Sequence, residues 1–448
     1  MTKRHGYALL SAIIAMIMAV SAAIYVGVGF DDGAARDTMA GGRGPHNNPA
    51  APASTGVWVG TWSTSPSGAE PGTETNGMAG RSVRNVVHAG VGGTAARVTL
   101  SNLYGQQPLN IAHASIAVAA TANNAAAAAD TMRRLTFGGS PSVIVPPGQQ
   151  VVSDAARLLI PHDTDILVTT YSPTPSGPVT YHPTARQISY TAQGDRTEDV
   201  TGVPYTGQTQ VWRYLTAVDV LSNESEGTVV VIGDSLTDGV TSSMGENRRW
   251  TDALADRLRL RLRDRDRDGS DVPRYSVVNQ GISGNRLLAG GGGRPAGNPS
   301  ALNRFDRDVL DRTNVKAVVI ALGVNDILRT PHQTDPDKIT SGLRELTEQA
   351  HNRGLRVIGA TLMPFQGHRG YRPNLEATRQ AVNAQIRSGD IFDDYVDFDE
   401  AVRDPYNPRR LNPLYDSGDH LHPSDRGYEQ MAKKFDLDML KGAAPAEL

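Results

Sequence analysis

The chain has 448 residues, a formal net charge of −3 and no cysteine. That length makes two or three domains the expectation, with ample apolar content for their cores. The near-neutral balance gives nucleic acid no general hold. The missing cysteines exclude disulfides, thiolate metal sites and a cysteine nucleophile.

Taken in order, the chain opens with Lys3, Arg4 and His5 ahead of an apolar run over 7–30, long enough to span a bilayer. Basic residues before such a run stay on the inner side, and Ser21-Ala22-Ala23 offers a small-residue cleavage site. Residues 1–30 therefore read as a signal peptide or an uncleaved signal-anchor. In the second case the segment anchors the protein to the membrane. Either way the expected location is extracellular or at the cell surface. Residues 31–56, rich in Gly, Ala, Pro and Asn, read as a flexible linker.

From 57 to 222 the signals are those of short strands, at 57–62, 82–88, 96–101, 135–137, 142–145 and 166–171. Turn clusters such as Gly138-Gly139-Ser140-Pro141 separate them, and 125–130 is the one helix-like insert. This pattern predicts an all-β, jelly-roll-like sandwich domain. Its Trp58, Trp62, Tyr104, Tyr181 and Trp212 fit a core or a domain interface better than a sugar platform.

The pattern changes within 223–448. Buried strands are predicted at 229–232, 275–278, 316–321, 355–361 and 391–398. They alternate with helices near 250–261, 302–311, 338–352, 374–386 and 424–440. Such alternation means an α/β domain with a parallel sheet and helices on both faces, and every strand's carboxyl end on one edge. The charged run over 256–271 reads as a solvated helix end and loop. Gly290-Gly291-Gly292-Gly293 reads as a slack surface loop, with a flap beside the site as the alternative.

Four short motifs fall on that edge: Gly233-Asp234-Ser235-Leu236, Asn279-Gln280-Gly281-Ile282-Ser283-Gly284-Asn285, Leu322-Gly323-Val324-Asn325-Asp326 and Asp419-His420-Leu421-His422-Pro423. Each has an ordinary alternative. Ser235 could cap a helix, Gly281 and Gly284 could serve turns, Asn325 could cap a turn, and His420 and His422 could be surface residues or an H-x-H metal pair. Gly233 stands two before Ser235 but Thr237 two after, which argues against the G-x-S-x-G elbow of α/β-hydrolases.

In this order the four blocks resemble those of the SGNH (GDSL-type) hydrolases, a family of serine esterases with a flavodoxin-like three-layer α/β/α fold. The resemblance covers about 228–440. The β-rich segment is similar, more loosely, to the extra N-terminal sandwich of some secreted actinobacterial members. The resemblance implies a triad of Ser235, His422 and Asp419, and an oxyanion hole formed by the backbone N–H groups of Ser235 and Gly284 with the side-chain amide of Asn325. The chemistry asks for the same residue types. A hydroxyl needs a base, the base needs an orienting carboxylate, and the developing oxyanion needs donors. Gly281 is the second choice for the loop donor, Asp234 and Asp326 are expected to brace the loops, and His420 is read as a bystander.

The expected function is an exported serine esterase acting on acetylated carbohydrate or lipid esters, small or polymer-bound, through an acyl-enzyme. No metal or cofactor is required, and a monomer is expected. An acyltransferase using the same triad, and a glycan- or wall-binding protein with a vestigial site, are the alternatives.

Overall fold

The computed structural model describes residues 56–268, 271–291 and 297–442, which belong to one compact unit. The expected leader, almost all of the linker and Gly292-Gly293 lie outside the described residues. Among the described residues no helix is long and apolar enough to cross a membrane.

The N-terminal half is built from antiparallel strands. One five-stranded sheet runs Val57–Ser63, Leu215–Ser222, Gly93–Ser101, Ala156–Ile160, with Gln150–Val152 also on Gly93–Ser101. A six-stranded sheet is centred on Arg81–Ala89 and Thr164–Ser172. Alternation decides which side chains meet. Val83 and Val87 join Val59, Val98, Val168, Val218 and Val220 in one shared core. Val86, one residue out of phase, packs with Leu167, Tyr190 and Tyr205 on the sheet's other face. Each such side chain removed from water contributes about 1.5–3 kcal/mol. Trp62 and Trp212 are buried here, ring edge to ring face at 4.9 Å, and are unavailable as a platform.

Two expected elements of this half differ. The alanine-rich 125–130 is not helical but a looped segment, with Asn123 and Asp130 at φ 54 and 59. The cause is Arg84, fully buried in the sheet behind it. Its guanidinium donates to the carbonyls of Ala125 (2.6 Å) and Asp199 (2.8 Å), and it lies 4.0 Å from the Tyr205 ring centroid. A buried guanidinium must be satisfied, and that need overrides alanine's helix preference. Residues 135–137 bury Leu135 and Phe137, but Phe137 bonds back to Ser140 around a tight turn, so the ladder there is only the pair Arg133–Arg134.

The antiparallel sheets of this half end with Leu215–Ser222, and a parallel sheet starts at Gly227–Gly233. Its spatial order is Tyr275–Gly281, Gly227–Gly233, Val315–Ala321, Arg356–Ala360, Asp394–Val396. In chain order this is 2-1-3-4-5, the flavodoxin-like winding. All seven residues of Gly227–Gly233 are buried, as a run with three consecutive valines and an isoleucine requires between helices. Gly233 stands in register with Gly281 on one side and Ala321 on the other, so three strands end level and their loops emerge together.

The helices Pro336–His351 and Pro373–Arg387 match expectation closely, Trp250–Asp268 runs past the expected end at 261, and Asp425–Lys434 is shorter than the expected 424–440. The expected 302–311 helix divides into α-helical Ala301–Phe305 and π-helical Asp306–Leu310. The last helix stops at Lys434, followed by a short 3-10 turn, Leu437–Leu440. The two halves meet along polar seams. The Gly60 N–H donates to Thr228 Oγ1 (3.1 Å), and the Gln280 amide donates to Ser63 Oγ (2.6 Å).

Candidate active site

Ser235 begins a four-residue helical turn, Ser235–Asp238, directly after the central strand. Asp234 caps the turn, its Oδ1 accepting from the Leu236 N–H at 3.0 Å. Gly239 closes it in the left-handed region, φ 88, donating to the Ser235 carbonyl. The hydroxyl is thereby held at the level where the three strands end.

His422 and Asp419 come from the loop ahead of the Asp425–Lys434 helix. His422 Nε2 lies 2.8 Å from Ser235 Oγ, and Nδ1 lies 2.6 Å from Asp419 Oδ2. The other carboxylate oxygen of Asp419 accepts from the backbone N–H groups of Leu421 (2.9 Å) and His422 (2.8 Å). Burial alone would raise the Asp419 pKa. The hydrogen bonds from His422, ring and backbone, outweigh that and hold it well below the usual carboxylate range. The three residues thus form one continuous chain from solvent-facing carboxylate to hydroxyl.

The remaining expected residues surround this chain. Gly284 lies in the left-handed region, φ 75, where only glycine is unstrained. Among the described residues none accepts from its N–H. The Asn325 amide donates to Asp234 Oδ2 (3.1 Å), while its oxygen accepts from Arg329 Nε (3.0 Å). That pairing fixes which end of the amide faces the turn and leaves its second N–H to point elsewhere. Gly281 has a different task. A Cβ there would sit 2.3 Å from the Asp238 backbone nitrogen, so its glycine permits close packing of strand end against the turn. Asp326 braces the neighbouring loop by accepting from the N–H groups of Leu287 (2.8 Å) and Leu288 (3.0 Å). His420 turns away, its Nδ1 on Asp416 Oδ2 at 2.6 Å and its side chain half exposed.

Three contributors were not anticipated from the sequence. Arg304, fully buried, donates to the carbonyls of Gln280 (2.7 Å) and Gly233 (2.9 Å), to Asn285 Oδ1 (3.0 Å) and to Asp308 (2.9 Å). It ties together the ends of two strands and the Gly284 loop. Its helix carries no charge pattern that separates it from an ordinary surface arginine. The others are His182 and Asp238, joined at 2.9 Å across the two halves. The apolar gap beneath the serine turn, lined by Leu236, Leu322, Val324, Leu362 and Met363, holds only about 20 Å³ and offers no room for an acyl chain. Among the described residues no cluster of three His, Asp or Glu side chains could hold a metal ion.

Asp234 gives a pH signature. Burial pushes its carboxyl up to about 6 from 3.8, against the opposing pull of the Leu236 N–H, the charge of His422 and the Asn325 amide. A raised pKa means the folded state holds its proton where the unfolded chain has lost it. Stability from this group therefore falls as pH rises from about 4 to about 6 and is level above. The stability of Asp234→Asn relative to wild type, read from urea midpoints, is expected to rise over that interval. A constant difference would show that the carboxyl is not perturbed.

Residues 231–430, somewhat under half of the chain, match the model of the GDSL-like Lipase/Acylhydrolase family. A comparison with curated proteins finds no match. Among solved structures, similar chains include a carbohydrate acetylesterase family member from Sinorhizobium meliloti, at 16% identity and a TM-score of 0.38, covering 48% of this chain and 100% of the other. A catalytic mutant of an acetylxylan esterase from Geobacillus stearothermophilus has 22% identity and a TM-score of 0.34, covering 48% and 95%. A GDSL-like lipase from Bacteroides thetaiotaomicron has 21% identity and a TM-score of 0.32, covering 46% and 84%.

Proposed function

We propose that the protein is a serine esterase that cleaves carboxylic esters, of the acetylated carbohydrate or lipid kind, through an acyl-enzyme on Ser235. The observation that carries this reading is the pair of contacts from Asp419 to His422 (2.6 Å) and from His422 to Ser235 (2.8 Å). In the first half-reaction Ser235 Oγ attacks the ester carbon and its proton passes to His422 Nε2. The C–O bond to the alcohol breaks, and the departing alkoxide takes that proton. In the second, water gives a proton to Nε2 as it attacks the acyl carbon. Collapse frees the acid, and the proton returns to Ser235. Asp419 holds the ring and balances its charge in both.

The negative charge that develops on the carbonyl oxygen is received by the N–H groups of Ser235 and Gly284 and the amide of Asn325, each such donor lowering the barrier by about 3 kcal/mol. Action outside the cell is supported by the basic, then apolar, N-terminal sequence.

Acid release from nitrophenyl acetate, nitrophenyl octanoate and an acetylated oligosaccharide tests the reading, with and without an added acceptor alcohol. Acid release with water alone is the expected result. Turnover that requires the acceptor would make the protein an acyltransferase, and no turnover of any ester would favour a binding role.

A further inference from the structure

The site proposed above is reached from behind by the antiparallel half. His182 ends the strand Thr180–His182 and is 2% exposed. Its ring lies 5.6 Å from the centroid of Trp212, and the Trp212 indole N–H is itself fixed to the Val86 carbonyl at 2.8 Å. The imidazole therefore belongs to the rigid sandwich core. Both of its nitrogens face acceptors: Nδ1 the Ser65 carbonyl at 2.8 Å, Nε2 the Asp238 carboxylate at 2.9 Å.

Asp238 is the last residue of the turn that Ser235 begins, and it is 3% exposed. Its two oxygens point opposite ways. Oδ1 meets His182, while Oδ2 accepts from the backbone N–H of Ser283 at 2.9 Å and from the Ser283 hydroxyl. Ser283 is the residue before Gly284. A second strap comes from the same sandwich segment, Thr184 Oγ1 lying 3.3 Å from Ser283 Oγ. The nearby cation, Arg249, spans both halves as well. Its Nε donates to the Asp238 carbonyl at 3.1 Å and its Nη2 to the carbonyl of Ala185.

We propose that His182 is a positioning residue for the ester-cleaving site: through Asp238 it sets the Ser283-Gly284 backbone, and so the place of the Gly284 N–H, relative to Ser235. The physical reason is burial. A carboxylate shut away from water must keep its partners, so one oxygen without a donor turns the group to find another. Turning Asp238 releases Ser283, whose N–H and hydroxyl it holds, and the adjoining Gly284 N–H moves with it. Oxyanion donors act only near their working distance, and a misplacement of about 1 Å can cost about 10²-fold in rate. This assigns the sandwich a part in the reaction itself. The inference rests on Gly284 being an oxyanion donor in the reading above.

The test compares wild type with His182→Leu, which removes both ring contacts, and His182→Gln, which keeps one N–H able to reach Asp238. Kinetics on nitrophenyl acetate are read together with the inhibition constant of a phenylboronic acid, whose tetrahedral adduct on the serine mimics the charged intermediate. His182→Leu is expected to lower kcat roughly 10- to 100-fold with KM within about threefold, to weaken boronate inhibition in parallel, and to be largely rescued in His182→Gln. Ser283→Ala removes the hydroxyl contacts at the far end of the same relay, with Asp238 and with Thr184, and keeps the backbone bond of Ser283 to Asp238. It serves where His182→Leu does not fold, and a smaller loss, again in kcat, is expected.

Unchanged kcat in folded His182→Leu overturns the inference, and so does unchanged kcat in both His182→Gln and Ser283→Ala where His182→Leu does not fold. So does a loss that follows only the folded fraction and is not rescued by glutamine. Hydrolysis that depends on Ser235 while these variants keep full rate defeats this inference alone. Hydrolysis by Ser235→Ala at the wild-type rate defeats the reading beneath it.

Discussion

Ser235→Ala is expected to lower kcat on nitrophenyl acetate about 10⁶-fold, and His422→Ala by a similar factor. The hydroxyl and the imidazole sit 2.8 Å apart and, in the proposed mechanism, act as one unit. Without the base, the hydroxyl keeps its proton and is a poor nucleophile. Without the hydroxyl, the base can only activate water that is not aligned on the ester. The double variant should therefore be no slower than either single one, and a residual rate about 10³–10⁴ above water should remain from substrate binding and the oxyanion donors. Additive losses would mean that the two side chains work independently. Ser235 is 7% exposed, and its hydroxyl makes no hydrogen bond to the fold's core among the described residues, so stability should hardly change.

Asp419→Asn is the second large effect, with an expected loss of about 10³–10⁴ in kcat. The direction follows from the hydrogen bonds around the carboxylate. One oxygen accepts from the N–H groups of Leu421 and His422, so an asparagine there keeps its oxygen on those donors. Its NH₂ must then face His422 Nδ1. The ring is left with its proton on Nε2, aimed at Ser235, and cannot take a second one readily. Asp419 is 44% exposed, so in Asp419→Ala a water can occupy the vacated position and accept from Nδ1. The alanine variant should accordingly be faster than the asparagine variant. Steady-state kinetics on the two settle the order. The reverse order would mean that the carboxylate acts by charge alone and not by holding a tautomer.

The features legible in the sequence are those encoded over a few adjacent residues. A valine-rich run marks the central strand because β-branched side chains suit a strand buried on both faces. The Ser235, Gly284, Asn325 and His422 blocks follow strands or precede a helix, so their common edge follows from the winding of the sheet. Gly284 and Gly281 were both visible as glycines, but only coordinates separate their reasons, a left-handed φ for one and a 2.3 Å approach to backbone for the other.

What stayed hidden is long-range and polar. The 125–130 segment has helical composition, yet the guanidinium of Arg84, 41 residues before Ala125, draws its carbonyl inward. Arg304 looks like a surface arginine until three strand and loop ends are seen to converge on it. His182 and Asp238 are 56 residues apart in elements of different kind, and nothing periodic links them. Burial of single charged groups leaves no local pattern, because the partners that make it tolerable come from elsewhere in the chain.

The most direct test is covalent. A fluorophosphonate reagent reacts only with a serine that a neighbouring base has activated, and peptide mapping by mass spectrometry locates the adduct. The expected result is one adduct, on Ser235, forming in step with loss of ester hydrolysis and absent in His422→Ala. Hydrolysis that persists after Ser235 is fully modified, or activity lost with the adduct on another residue, would contradict the assignment of Ser235 as nucleophile.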